Sequence, residues 1–256
     1  MSEFQSLGLA ASLIEALNRA ALTEPTPIQS QAIPLALAGH DVLGLAQTGT
    51  GKTFAFGLPL IHHLLSAQGK PAPKSARALI LAPTRELVNQ IADSLRVLTT
   101  GGHLRVATVV GGQSINRQIG VLSKGTDILV ATPGRLIDLM EREAVLLGSV
   151  THLVLDEADQ MLDLGFIHAL RKIAPRLGTP RQTMLFSATM PKQMEELSRA
   201  YLKDPKRVQV APPGKAADKV TQSVHFVDKN DKPTKLREIL SRDRDALTLV
   251  FARTKH

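Results

Sequence analysis

The sequence predicts an α/β fold: a parallel sheet with helices on both faces, followed by an incomplete second α/β segment. Three observations point there. Between residues 42 and 210, short apolar runs of strand length alternate with stretches of helical length, the pattern of a parallel sheet closed by helical crossovers. A glycine-rich octet, Ala46-Gln47-Thr48-Gly49-Thr50-Gly51-Lys52-Thr53, joins the run Val42–Leu45 directly to a helical stretch. A second apolar run, Leu153-Val154-Leu155, ends on the acids Asp156-Glu157. In open α/β sheets ligands gather outside the carboxyl ends of the strands, where both features fall.

Taken in order, Ala10–Ala20 has helical apolar spacing at Leu13, Ile14 and Leu17. Thr26 is an N-cap candidate, Pro27 suits the first helical position and Gln29 falls at N3, which predicts a capping box. That helix runs through Ile33–Ala38 and stops at Gly39. After the octet come a helix (Phe54–Leu65), a Pro/Lys-rich surface loop (67–76), a strand (Ala78–Ala82) and a helix (Glu86–Leu98). A strand over Arg105–Val110 closes on Gly111-Gly112, and Ile115–Leu122 is helical. The strand Asp127–Ala131 leads into Thr132-Pro133, a second Thr-cap and Pro pair that starts the helix 134–142. Strands at His152–Leu155, Met184–Ser187 and Arg207–Val210 and a helix at Lys192–Leu202 complete a first domain over 1–210. The Pro/Gly-rich stretch beginning Ala211-Pro212-Pro213-Gly214 marks a linker, 211–219. Residues 220–256 read as strand (Val220–Val227), helix (Lys235–Leu240) and strand (Ala246–Phe251), too short to bury a core of their own.

The chain has 31 Lys plus Arg against 23 Asp plus Glu, a net charge of +8. Such a surplus suits a polyanion such as nucleic acid, or a merely soluble basic surface. Trp is absent and aromatics make up 3%, so backbone contacts are expected to outweigh base stacking. There is no cysteine, which excludes disulfides and thiolate metal sites and fits a cytoplasmic protein. No secretory signal, membrane-length apolar run or solenoid repeat is evident.

The octet matches G-x-x-x-x-G-K-[ST] with Ala46 in the first glycine position. Gly49 and Gly51 let successive N–H groups turn toward phosphate oxygens, and the following helix adds its positive end. Lys52 can reach the β- and γ-phosphates and Thr53 can ligate Mg²⁺. Asp156, at a strand's carboxyl end, suits Mg²⁺, and Glu157 suits the orientation and deprotonation of an attacking water.

With Asp156-Glu157-Ala158-Asp159 beside that loop, the chain resembles the DEAD-box ATP-dependent RNA helicases, closest to their bacterial RhlE-like branch. Thr26-Pro27-Ile28-Gln29 resembles the Q motif, with Phe4 as its upstream aromatic. Pro83-Thr84-Arg85-Glu86-Leu87, Gly111-Gly112 and Thr132-Pro133-Gly134-Arg135 resemble the RNA-contacting motifs. Ser187-Ala188-Thr189 resembles the motif that couples ATP to RNA, and 250–255 the first motif of a second domain. The resemblance implies a RecA-like P-loop domain that uses ATP and Mg²⁺ to clamp RNA and separate short duplexes. It implies that Gln29 reads adenine and that Phe4, Leu22, Thr26 and residues 46–53 shape the nucleotide site. It further implies that Pro83, Thr84, Arg85, Gly111, Gly112, Thr132, Pro133, Gly134 and Arg135 hold RNA, and that Asp159 hydrogen-bonds toward Ser187 and Thr189. Helix capping alone is the alternative for Thr132 and Pro133.

Two departures stand out. Ala21-Leu22 occupies the place of a Gly-aromatic pair, so adenine loses a π-face. The chain also stops before the motifs that bring arginine fingers, so residues 1–256 are expected to bind ATP and hydrolyse it slowly. The competing functions are a P-loop helicase acting on DNA and a non-catalytic RNA-binding or interaction module. The tail is expected to lean on the first domain or to exchange with a neighbour in a dimer.

Overall fold

The computed structural model describes residues 3–67, 69–210, 221, 223–242 and 247–252. It divides into two units, Met1–Lys215 and Ala216–His256. The first holds a seven-stranded sheet of β1 (Val42–Leu45), β2 (Ala76–Leu81), β3 (Val106–Val109), β4 (Thr126–Ala131), β5 (His152–Leu155), β6 (Gln182–Ser187) and β7 (Lys206–Gln209). Their order is β3-β4-β2-β5-β6-β1-β7, every pair parallel.

Alternation along each strand sends side chains to two cores. Val42, Ile80, Val130, Val154 and Phe186 face one side, where α1 (Ala11–Arg19), α2 (Pro27–Leu37), α3 (Lys52–Ser66) and α4 (Arg85–Thr99) pack. Leu43, Leu81, Leu129, Leu155 and Leu185 face the other, covered by α6 (Pro133–Glu141), α7 (Ala158–Asp163), α8 (Ile167–Ile173) and α9 (Lys192–Tyr201). Helix α5 (Ile115–Leu122) follows β3 and adds Leu122 to this second core. Gly44 shows how tight the first layer is. A Cβ there would lie 2.5 Å from the ring of its partner Phe186, which also tilts against Phe56 of α3 at 5.6 Å.

At the opposite end of the sheet, buried Asp41 accepts from the N–H groups of Thr183 and Lys203, each at 2.7 Å, and so ties β1 to the starts of β6 and β7. A carboxylate that accepts backbone N–H bonds in place of water offsets its own burial.

Local chemistry departs from the sequence reading in several places. The capping box of α2 is present, with Thr26 N–H donating to Gln29 Oε1 at 2.9 Å, although the buried Thr26 hydroxyl makes no hydrogen bond. Thr132 likewise begins α6 with no cap bond from its hydroxyl, leaving Pro133 to set the first turn. Helix α3 starts at Lys52 rather than Phe54, because Gly51 is its left-handed N-cap. The stretch 67–76 is not wholly surface loop: Pro71 and Ser75 are buried and Ala76 already belongs to β2. Helices α7 and α8 and the 3₁₀ turns Glu3–Leu7 and Ala174–Arg176 were not expected. Each is seven residues or fewer, shorter than the roughly 11–18-residue window in which helical periodicity is legible.

In the second unit, α10 (Lys232–Ser241) covers the helix expected at Lys235–Leu240. The flanking strands are a correction. No strand forms among the described residues of 220–227 and 246–251, since a strand needs a laddered partner. Phe226, Leu247 and Phe251 are exposed instead. The Pro-Pro-Gly stretch at 211–215, Val220 and Ala246 lie outside the described residues.

Candidate functional site

The strand order places the motifs. Along the carboxyl edge of the sheet the segments following each strand run Gly111-Gly112 (β3), Thr132-Pro133-Gly134-Arg135 (β4), Pro83-Thr84-Arg85 (β2), Asp156-Glu157 (β5), Ser187-Ala188-Thr189 (β6) and the glycine octet (β1). The ladder extends past the strand ends and fixes neighbours at this edge. Ala82 N–H donates to Ala131 O, Thr132 N–H to Val109 O, Asp156 N–H to Leu81 O and Ala46 N–H to Ser187 O, at 2.9–3.1 Å. Sequence-distant motifs thus separate into two groups, one over β3, β4 and β2 and one over β5, β6 and β1.

In the second group the octet curls through Gly49 at φ +79° and Gly51 at φ +88°. A side chain at Gly51 would strike Gln29 Nε2 at 2.5 Å and Thr26 Oγ1 at 3.0 Å. Gln29, 3% exposed, donates from Nε2 to Gly51 O at 2.9 Å while its Oε1 holds Thr26 N–H. The amide therefore clasps the loop, and one N–H and one lone pair remain for another partner. Lys52 is buried; its Nζ donates to Ala46 O at 3.2 Å and lies 3.9 Å from Glu157 Oε1. Thr53 sits one residue further into α3, partly exposed.

Asp156 is 2% exposed and accepts from Glu157 N–H at 3.0 Å. Burial pushes its carboxyl up to about 6, against the pull of Lys52. Glu157 is held at φ +48°, a conformation that L side chains rarely adopt and that concentrates at functional sites. Asp159 Oδ2 gathers three donors: Ala188 N–H at 3.2 Å, and Thr189 N–H and Oγ1–H each at 2.9 Å. Ser187 is not among them; its hydroxyl donates to Thr189 O at 2.8 Å, which shapes the turn that Asp159 grips. Phe4 is buried in the first core rather than open to a ligand, and Leu22 packs at that core's rim.

The first group lines one groove of about 560 Å³, with Pro83, Thr84, Arg85, Gly111, Thr132, Gly134 and Arg135 in its walls. Thr84 Oγ1 caps α4 by accepting Leu87 N–H at 3.2 Å. Arg135 donates to Gln113 O at 3.0 Å, while its buried Nε makes no hydrogen bond and lies 3.7 Å from Asp138 Oδ2. Arg85 lies over Gly112, where any side chain would meet its guanidinium. Pro133 is buried under the groove.

Sequence reasoning missed three contributors. Phe166 lines the groove beside Gly134, and Asp138 stands 3.7 Å from Arg135, as Glu86 of the Pro-Thr-Arg-Glu-Leu motif stands 3.9 Å from Arg85. Buried Gln118 donates to Val110 O at 3.0 Å and props the Gly-Gly turn from α5. Phe166 carried a signal as a rare aromatic directly after a glycine, and Asp138 one as an acid at i+3 from Arg135 on the predicted helix.

A parallel sheet with a phosphate loop at one strand end and a paired acid two strands away defines a RecA-like P-loop domain. The DEAD/DEAH box helicase family model matches residues 26–197, and the chain belongs to that family. Its structure is similar to that of a hypothetical ATP-dependent RNA helicase from Sulfolobus tokodaii, with a TM-score of 0.71 and 32% identity over 78% of this chain. The chain spans only 56% of that protein's length.

Proposed function

We propose that this chain is the nucleotide- and RNA-holding part of an ATP-dependent RNA helicase that opens or remodels short RNA duplexes. One observation carries the reading: the carboxyl edge divides into a phosphate-loop half and a two-arginine groove, and β2 and β5, paired in the sheet, join them. Residues 46–53 would cradle the phosphates, Lys52 would exchange Ala46 O for phosphate oxygen, and Thr53 with Asp156 would hold Mg²⁺. The buried carboxyl of Asp156 supports that fit, since among the described residues Lys52 is the one cation acting on it, beside the carboxylates of Glu157 and Asp159. Bound Mg²⁺ would supply charge neutralisation at the phosphates. Glu157 orients and deprotonates the attacking water, and Asp159, clasping Thr189, relays the state of the nucleotide side. Thr84, Arg85, Gly112, Thr132, Gly134 and Arg135 take RNA phosphates and sugars, contacts that carry no base sequence. The cytoplasmic location and the RhlE-like branch are also proposed, on the sequence alone.

The test combines calorimetry and turnover. MgADP should bind and MgGDP should bind more weakly, and Gln29→Ala should lose roughly 1–3 kcal/mol of that preference. Residues 1–256 by themselves should release phosphate slowly, because a transition-state arginine from a second domain is worth about 10³–10⁵ in rate. Equal affinity for both nucleotides overturns the adenine assignment. Binding of RNA but of no nucleotide would make the chain a non-catalytic RNA-binding module.

A further inference from the structure

The net charge of +8 suits a polyanion, yet the motif groove does not carry it. Its arginines, Arg85 and Arg135, each face a carboxylate, Glu86 at 3.9 Å and Asp138 at 3.7 Å. Two elements lead out of that groove. Helix α6 contributes Arg135 and Asp138 to it, and Phe166 at the head of α8 closes one wall. Farther along the same two helices lies a second groove of about 470 Å³. It is lined by the apolar Ile137, Met140 and Pro175 and by Arg171, Lys172 and Arg176, with Pro175 and Arg176 in the 3₁₀ turn that follows α8. One carboxylate joins them: Glu141, 3.5 Å from Lys172. Arg171 and Arg176 are exposed and have no acidic partner among the described residues.

We propose that this α6–α8 groove is a second RNA-backbone contact, which takes the strand as it leaves the motif groove and holds its phosphates on Arg171, Lys172 and Arg176. The proposal rests on the RNA reading of the motif groove and extends it. The rise from Phe166 to Arg176 is roughly 15 Å at helical spacing, the length of a few nucleotides. Guanidinium groups match phosphate geometry bidentately. The second groove has no aromatic lining residue, so it has no platform for bases and grips the backbone alone. An acidic protein segment is the rival occupant. Continuity with the motif groove through both α6 and α8 favours RNA.

The experiment is fluorescence anisotropy with the whole chain at low salt and two labelled oligouridylates. One is about 6 nucleotides long, enough for a single groove, and the other about 10 nucleotides longer. The parent should bind the longer RNA more tightly. Replacing Arg171, Lys172 and Arg176 together by Gln should weaken the longer RNA by about tenfold and flatten its log K against log salt slope by about 2, near 0.7 per lost phosphate contact. The short RNA should change less than twofold and the melting temperature should not move. Glu141→Gln, which frees Lys172, should tighten the longer RNA only. Equal losses for both lengths, or no loss, overturn the extension and leave the motif groove standing. A parent that binds neither RNA removes both. A Glu/Leu amphipathic peptide that binds the parent better than the longer RNA, and not the triple variant, makes the groove a protein-docking surface and also overturns it.

Discussion

Ala21 holds a left-handed backbone at φ +56°, and the bonds around it explain why. Helix α1 ends in a Schellman motif: Leu22 N–H reaches Leu17 O and Ala21 N–H reaches Asn18 O, both at 3.0 Å. The C′ position of that motif suits glycine, and the family's Gly-aromatic pair falls there. Alanine in this region costs about 1–2 kcal/mol. Ala21→Gly should therefore raise the unfolding free energy by about 1 kcal/mol, net of the entropy glycine adds to the unfolded chain. Urea denaturation measures this, and an unchanged or lower midpoint would show that the motif tolerates Cβ without strain. Leu22→Phe is expected to tighten ADP by about 0.5–1.5 kcal/mol, the worth of a restored aromatic contact, as read by calorimetry. Leu22 sits at the rim of the first core, so its side chain can be enlarged without filling a closed space.

At the scale of elements, β5 carries the acids at its carboxyl end and a histidine at its amino end. His152 stacks on His63 of α3 with ring centroids 5.3 Å apart. Burial, reinforced by His63, depresses its imidazole to about 4. His62 on the same helix is lowered for the same two reasons. The unfolded chain, with histidine near 6.5, binds the extra proton first as pH falls. Stability is therefore full above about 6.5 and is lost between there and about 4, at most about 3.4 kcal/mol for His152. His152→Phe should flatten that slope in urea titrations across pH 4.5–7. A slope identical to the parent's would place the acid sensitivity elsewhere.

For the molecule as a whole, the two units differ in how well they cover themselves. Residues 1–215 enclose two cores around the sheet. In the second unit Phe226, Leu247 and Phe251 are at least 88% exposed, and apolar side chains left open to water gain by burial against a partner. We expect residues 1–256 to pair through this tail. Light scattering should then give a dimer for 1–256 and a monomer for 1–210. Monomers in both cases, with equal melting temperatures and quick proteolytic trimming of the tail, would remove the dimer.

The sequence by itself determined the elements and the chemistry of the loops. Apolar period, glycine position and acid pairs are local, and they located β1, the octet, the DEAD acids and the helices that are long enough to show a period. Strand order is not local. Nothing in the one-dimensional pattern says that β2 lies between β4 and β5, yet this order sorts the motifs into a phosphate half and an arginine groove. Tertiary structure also decided what each side chain had left to offer. Gln29 spends half its amide on Gly51 O and Thr26 N–H, Phe4 is consumed by the core, and Ser187 bonds to Thr189 O rather than to Asp159. It alone brought Phe166 into the groove, whereas the Arg85–Glu86 and Arg135–Asp138 pairs are local, between neighbours and at i,i+3. The physical reason is the same in each case. Backbone propensity and hydrophobic period act over a few residues, whereas burial, hydrogen-bond partners and local charge balance depend on which elements the sheet makes neighbours.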